Sequence, residues 1–165
     1  MMRSAGFPPI ARSDARILIL GSLPGERSIR EQQYYAHPQN AFWKIMQALY
    51  GIEGEYAARA AHLRDKRIAL WDVLQSSVRP GSMDADIRAD TARPNDFADF
   101  FARHGDVELI AFNGRKAEQL FARFVGPLQV ARGIRRVGLP STSPAYAALS
   151  FSGKLAAWRD ALDIP

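Results

Sequence analysis

Between Gly21 and Trp43 the chain reads GSLPGERSIREQQYYAHPQNAFW, and this stretch gathers the side chains best suited to holding a flat ring. Tyr34 and Tyr35, then His37 and Pro38, then Asn40, then Phe42 and Trp43 crowd aromatic faces and amide groups together. An aromatic face holds a planar ring by stacking, and an asparagine side chain offers a donor and an acceptor to the ring's edge. A nucleobase is the obvious ring. Earlier in the stretch, Gly21, Pro24 and Gly25 cannot continue a regular element. A glycine turn of this kind lets backbone N–H groups approach a ligand, often a phosphate. GSLPG matches neither GxGxxG nor GxxxxGK[ST], so on its own it reads equally well as a plain turn.

These residues need a scaffold. Arg16–Leu20 carries the unbroken apolar run Ile17–Leu20, with Ile17 and Ile19, suited to a strand buried on both faces of a parallel sheet, and Gly21 ends it. Asn40–Tyr50 carries Phe42, Trp43, Ile45, Met46 and Leu49 at helical spacing, with Gly51 as a stop. Glu53–Arg67 reads as a second, alanine-rich helix with a charged outer face, and Ile68–Trp71 as a second buried strand ending at Asp72. Val73–Pro94 is polar, contains Pro80-Gly81, and reads as a long loop; loops of that length in compact domains usually serve function or move. Asn95 or Asp96 caps a helix running to His104, Val107–Phe112 is a third strand, and Asn113-Gly114 turns into a helix through Phe124. A short strand within Gln129–Val137 precedes a loop at Gly138, and a helix from Phe151 or Ser152 to Leu162 closes the chain with Leu155, Trp158 and Leu162 inward. Strands alternating with helices imply a three-layer α/β/α sandwich with a short, mainly parallel four-stranded sheet. Ligands of such sheets collect at the strands' carboxyl ends, where Gly21, Asp72, Asn113 and the Leu139 loop would all open on one edge.

At 165 residues the chain is expected to form one domain over 1–165, with 1–15 as an N-terminal arm packed over its edge. A formal charge of +5 favours a polyanionic partner. With no cysteine there is no disulfide framework and no thiolate ligand or nucleophile, which suits a reducing cytosol. His37, His62 and His104 lie far apart without ligand spacing, so neither a metal nor any other cofactor is expected. No stretch resembles a signal peptide or approaches the ~20 apolar residues of a membrane span. The expectation is a soluble, cytoplasmic monomer, nucleoid-associated if bacterial.

The string YAHPQNAFW behind a G-x-x-P-G turn resembles the first motif of the uracil-DNA glycosylase superfamily, near its mismatch-specific branch. Three further stretches make the chain similar to the hypoxanthine-DNA glycosylase (DNA-deoxyinosine glycosylase) branch: LWDVLQSSVRPGSMDADI from Leu70, AFNGRKAEQLF from Ala111 and LPSTSPAYA from Leu139. The resemblance implies a DNA repair glycosylase that hydrolyses the N-glycosidic bond of a flipped-out deaminated base, most of all hypoxanthine, in double- or single-stranded DNA, leaving an abasic site. Uracil or G/U mismatches are the alternative substrates, and a non-catalytic damaged-DNA-binding module is the alternative class. No lysine sits where a motif would make it a Schiff-base nucleophile, so the enzyme would be monofunctional.

The same resemblance assigns roles. Asn40 matches the branch's catalytic asparagine, positioning water or binding the base edge; as a bare residue it is also a good helix N-cap, and the two roles can coexist. Tyr35 falls where an aromatic stacks on the flipped base, with buried packing as the alternative. Gly21, Ser22 and Gly25 would shape the pocket floor. Leu23 stands where uracil-directed relatives carry a polar, water-activating residue, which shifts that duty to Asn40. Asp72, at a position that reads the base edge, could accept from the base or, with a raised pKa, donate to it, or simply cap the loop after it. Asn113 either contacts base or backbone or, the reading favoured here, caps its helix. Ser141, Thr142, Ser143, Pro144 and Ala145 belong to the loop that enters the minor groove and holds phosphates, Ser141 replacing the histidine of uracil-specific relatives; a surface turn is the alternative. Arg136 and Lys154, with Arg132 and Arg135, could add phosphate contacts or be solvated charges. Ser82 and Asp84–Asp86 match the branch without an assigned role.

Overall fold

The computed structural model describes residues 3–162. Four strands form a wholly parallel sheet: β2 (Ile17–Gly21), β3 (Ile68–Asp72), β6 (Leu109–Asn113) and β7 (Arg135–Leu139), in the order β3-β2-β6-β7. The apolar runs explain the middle of this sheet, since every residue of β3 and β6 is buried.

On one face lie α2 (Phe42–Tyr50), α3 (Tyr56–Asp65) and α6 (Phe151–Ala161), joined by edge-to-face rings: Phe42 meets Trp158 at 6.1 Å and Trp43 meets Tyr56 at 5.9 Å. On the other lie α4 (Phe97–Arg103) and α5 (Arg115–Phe124), where Phe97 meets Trp71 at 5.0 Å and Phe121 at 5.5 Å. Phe42, Phe97, Phe121 and Trp158 are essentially sealed from solvent. Each such ring contributes on the order of 2 kcal/mol by leaving water. The chain leaves β2 toward β3 and leaves β6 toward β7 in the opposite direction. The crevice between β2 and β6 is therefore the topological switch point, where open α/β sheets place their ligands.

Several boundaries differ from those the sequence suggests. Val73–Pro94 is no loop: β4 (Leu74–Val78) pairs antiparallel with β1 (Arg3–Ala5) and with β5 (Arg93–Pro94), and two 3₁₀ turns, Asp84–Asp86 and Ala89–Thr91, lie between β4 and β5. The N-terminal arm is thus built into a second sheet, and its Ile10 bridges Leu70 and joins the core. Residues 1 and 2 of that arm fall outside the described part. An unexpected short helix, α1 (Glu26–Glu31), sits inside the Gly21–Trp43 stretch. The last strand is shifted to Arg135–Leu139, so Gly138 lies within it. Helix α3 is shorter than expected. In α6 it is Lys154, Trp158 and Leu162 just beyond that are buried, with Leu155 only half-buried.

Candidate active site

Parallel register brings the motifs to one edge. Gly21 stands opposite Asp72, and Asn113 opposite Leu139, at the carboxyl ends of adjacent strands. They open on a cavity of about 460 Å³. Of the site residues to which the sequence gives a role, all but the basic side chains Arg132, Arg135, Arg136 and Lys154 line it.

The floor is Gly21. A Cβ built there would stand 2.5 Å from Asp72 Oδ1 and 2.8 Å from Tyr35 Oη, so only glycine lets those two oxygens approach the strand end. Asp72 is 4% exposed, and its Oδ2 has no hydrogen-bond partner in the protein. Burial, reinforced by the Asp84 carboxylate and opposed by the Arg79 guanidinium, pushes its carboxyl up to about 7. Tyr35 adopts a left-handed backbone (φ 55°), and its buried hydroxyl is likewise unpartnered. Phe42 stacks on the Tyr35 ring at 4.4 Å, covering one face that a base would otherwise use. Burial first, then the Asp72 carboxyl, raises the Tyr35 phenol well above its ordinary range; the nearby Asn113 amide tempers this without reaching hydrogen-bond geometry.

Asn40 lies in the turn before α2, half-buried on the cavity wall. Its Oδ1 accepts from Phe42 N at 3.0 Å and so closes the turn into α2, whose N-cap position is Ala41 rather than Asn40, while one lone pair and both Nδ2 protons are left for a ligand or water. Closing the turn and lining the cavity coexist in one side chain.

Asn113 does not cap α5. Its Oδ1 accepts from Thr142 N at 2.9 Å and its Nδ2 donates to Thr142 Oγ1 at 2.9 Å, so the amide ties β6 to the loop after β7. The cap position belongs to Gly114 (φ 97°), where a side chain would be strained and would crowd Ser141. Thr142 O in turn accepts from Ala41 N at 3.0 Å, joining the last motif to the first. Lys154 is 5% exposed rather than solvated: its Nζ donates to Ser143 O at 3.1 Å and sits 5.5 Å from the centre of the Tyr146 ring. It shapes the loop from behind. Arg136 faces outward from β7 with its guanidinium over the Phe121 ring at 5.0 Å, in register with Ile110 and below the cavity edge.

The indoles pin loops. Trp43 Nε1 donates to Tyr34 O at 2.8 Å, Trp71 Nε1 to Phe7 O at 2.9 Å, and Trp158 Nε1 to Pro140 O at 3.0 Å. Each ring is packed in the core while its single donor holds a carbonyl near the site.

A clamp that sequence reasoning missed holds the glycine turn. The Arg79 side chain, 1% exposed, donates to the carbonyls of Leu23 and Pro24 and lies 3.9 Å from Asp84. Asp84 accepts from Ser22 Oγ, and Ser82 Oγ accepts from Glu26 N at 2.8 Å, at the start of α1. The motif around Ser82 and Asp84–Asp86 was visible in the sequence, but nothing there says that it folds back onto residues 22–26.

A cavity at the switch point of a parallel α/β/α sandwich, walled by an amide and floored by a buried carboxyl, is suited to a flat polar ring such as a nucleobase. The profile of the Uracil DNA glycosylase superfamily matches residues 8–162. The chain belongs to that superfamily. A protein of Methanosarcina acetivorans named hypoxanthine DNA glycosylase is 38% identical over 147 residues, covering 87% of this chain and 89% of the relative. Its namesake in Methanosarcina barkeri is 38% identical over 119 residues, 70% and 74% of the two chains. A solution NMR structure of a Methanosarcina acetivorans protein assigned to the uracil DNA glycosylases superposes with a TM-score of 0.78 at 36% identity, covering 98% of this chain and 99% of that one. Among the described residues, no helix is long and apolar enough to cross a membrane.

Proposed function

We propose that this chain releases hypoxanthine from deoxyinosine in DNA by hydrolysis, leaving an abasic site, and that it does so as a cytoplasmic monomer. The observation that carries this reading is the buried Asp72 carboxyl over the Gly21 floor, a hydrogen-bonding group placed where the edge of an extruded base would end. The names of the Methanosarcina relatives support the same substrate.

The target nucleotide first leaves the stack, which costs a few kcal/mol. The excess of basic residues and the Ser141–Ala145 loop are suited to holding the flanking phosphates. In the cavity, Asp72 takes the N1–H of hypoxanthine on a carboxyl oxygen. Asn40 holds a water through its free lone pair and Nδ2 beside the sugar. The C1′–N9 bond breaks with its electron pair leaving on the base, water adds to C1′, and the proton it releases ends on the base or in solvent. Asn40 is the catalytic residue, and Asp72 reads the base and, when protonated, can donate to it. Leu23 has no titratable group to activate water, and Lys154, tied to Ser143 O outside the cavity, is not placed to form a Schiff base.

The test is a paired cleavage assay on duplex and single-stranded oligonucleotides carrying one deoxyinosine or one uracil, followed by alkali to cut any abasic site. Cleavage at deoxyinosine is expected. Cleavage at uracil alone would move the substrate, and binding without base release would make the chain a damage-binding module.

A further inference from the structure

Taking the cavity as the pocket of an extruded base, we propose that the Tyr35 hydroxyl is a second base-reading group, donating to the exocyclic oxygen of a lactam base while Asp72 accepts from the adjacent ring N–H. The two oxygens converge: one point above Gly21 lies within 2.8 Å of both, and the strand end has no side chain there to keep a ligand out. Tyr35 Oη and Asp72 Oδ2 are both buried without a partner, although leaving such a group unsatisfied costs about 1–3 kcal/mol. The fold thus brings an unpartnered phenol oxygen and a carboxyl with one unpartnered oxygen to the same strand end at the bottom of a cavity, which is what a site preformed for a polar ligand looks like.

The chemistry of the pair selects the ligand. A lactam presents N–H beside C=O, as hypoxanthine does at N1 and O6. A carboxylate alone takes the N–H and repels the carbonyl; the phenol supplies the missing donor. Adenine presents the reverse, a bare ring nitrogen beside an amino group, and sets its N1 lone pair against the carboxylate. The phenol stays protonated, since burial and the neighbouring carboxyl both oppose its ionisation. Phe42 covers one face of the Tyr35 ring, while the hydroxyl at the ring's edge is left without a partner in the protein. As the C1′–N9 bond breaks, charge spreads onto the base oxygen, and a donor aimed at that oxygen gains strength in the transition state.

The variant is Tyr35→Phe, which keeps the ring and its contact with Phe42. Its single-turnover excision is compared with wild type on duplexes carrying deoxyinosine or the nucleoside of unsubstituted purine, which lacks the exocyclic oxygen. Tyr35→Phe is expected to slow release of hypoxanthine about 10- to 100-fold with unchanged duplex affinity, and to leave any release of purine unaltered. Free hypoxanthine and free purine are titrated against both proteins as well; the variant should lose affinity for hypoxanthine only. An equal loss with both bases, or no loss with hypoxanthine, overturns the assignment. Wild type that releases no hypoxanthine would instead refute the proposed activity, and the free-base titration would still decide the role of Tyr35.

Discussion

Gly21→Ala tests whether the floor of the cavity is a working surface. Gly21 does not use the left-handed backbone region, so alanine meets no conformational penalty there. Its methyl would stand 2.5 Å from Asp72 Oδ1 and 2.8 Å from Tyr35 Oη, whereas ordinary contact begins at 3.4 Å. The carboxylate must therefore withdraw by about 0.9 Å and the hydroxyl by about 0.6 Å, and displacements near 1 Å from reacting geometry cost roughly 10²-fold in rate. The carboxyl is buried and the hydroxyl ends a ring stacked on Phe42, so neither withdraws freely and the overpacking cost is about 1–3 kcal/mol. A loss of that size lowers the melting temperature by roughly 2–12 °C. Single-turnover release of hypoxanthine from a deoxyinosine duplex, with a melting curve on the same preparation, reads both quantities. A variant that melts as expected but retains the wild-type rate would mean that neither oxygen touches the reacting base, and the reading of the floor would fall.

Asn40→Ala is expected to remove turnover by 10²-fold or more while duplex affinity persists, and to cost about 1 kcal/mol from the lost acceptor for Phe42 N. Asn40→Asp restores that acceptor and hence the stability; chemical denaturation of the two variants checks this. For Asp72, the folded carboxyl, raised to about 7 among Asp84, Arg79, Tyr34 and Tyr35, keeps a proton that the unfolded chain releases near its ordinary value. Wild-type stability should therefore fall as pH rises from about 4 to about 7 and level off above that. Asp72→Asn should flatten this part of the profile, which a series of melting curves across pH measures; an unchanged slope would show that Asp72 titrates normally. Arg79→Met removes the donor to the Leu23 and Pro24 carbonyls. It should cost about 3 kcal/mol in denaturant unfolding and slow excision at least tenfold, and a wild-type rate in the folded variant would detach this clamp from catalysis.

Much of the scaffold was legible because its signals are local. The apolar runs of β2, β3 and β6 announce strands buried on both faces, and the capping Asp96 and the positive-φ Gly114 mark the starts of α4 and α5. Parallel pairing then carries Gly21, Asp72 and Asn113 to one edge without further information. What was missed depends on partners distant in sequence. Leu74–Val78 alternates weakly, and its partners β1 and β5 are only three and two residues long, so nothing local separates it from a loop. Arg79 and Lys154 look like solvated charges until the backbone carbonyls they satisfy are placed beside them. Asn113 precedes a helix and so reads as its cap; only the return of the chain through Thr142 gives its amide a better partner. For Tyr35, sequence does not reveal that Phe42 lies on one face of its ring or that its hydroxyl reaches the floor.

The three indoles that pin loop carbonyls give the protein its own optical probe. Every tryptophan in the chain spends its one N–H on a backbone oxygen at the margin of the site, at Tyr34, Phe7 and Pro140. Indole emission responds to the hydration and hydrogen bonding of that N–H, so any rearrangement of these loops as DNA docks alters the fluorescence of a fully native, unlabelled chain. Stopped-flow emission would then time loop ordering separately from base release, and a lag between the two would reveal a nucleotide captured in the cavity before its bond is cut.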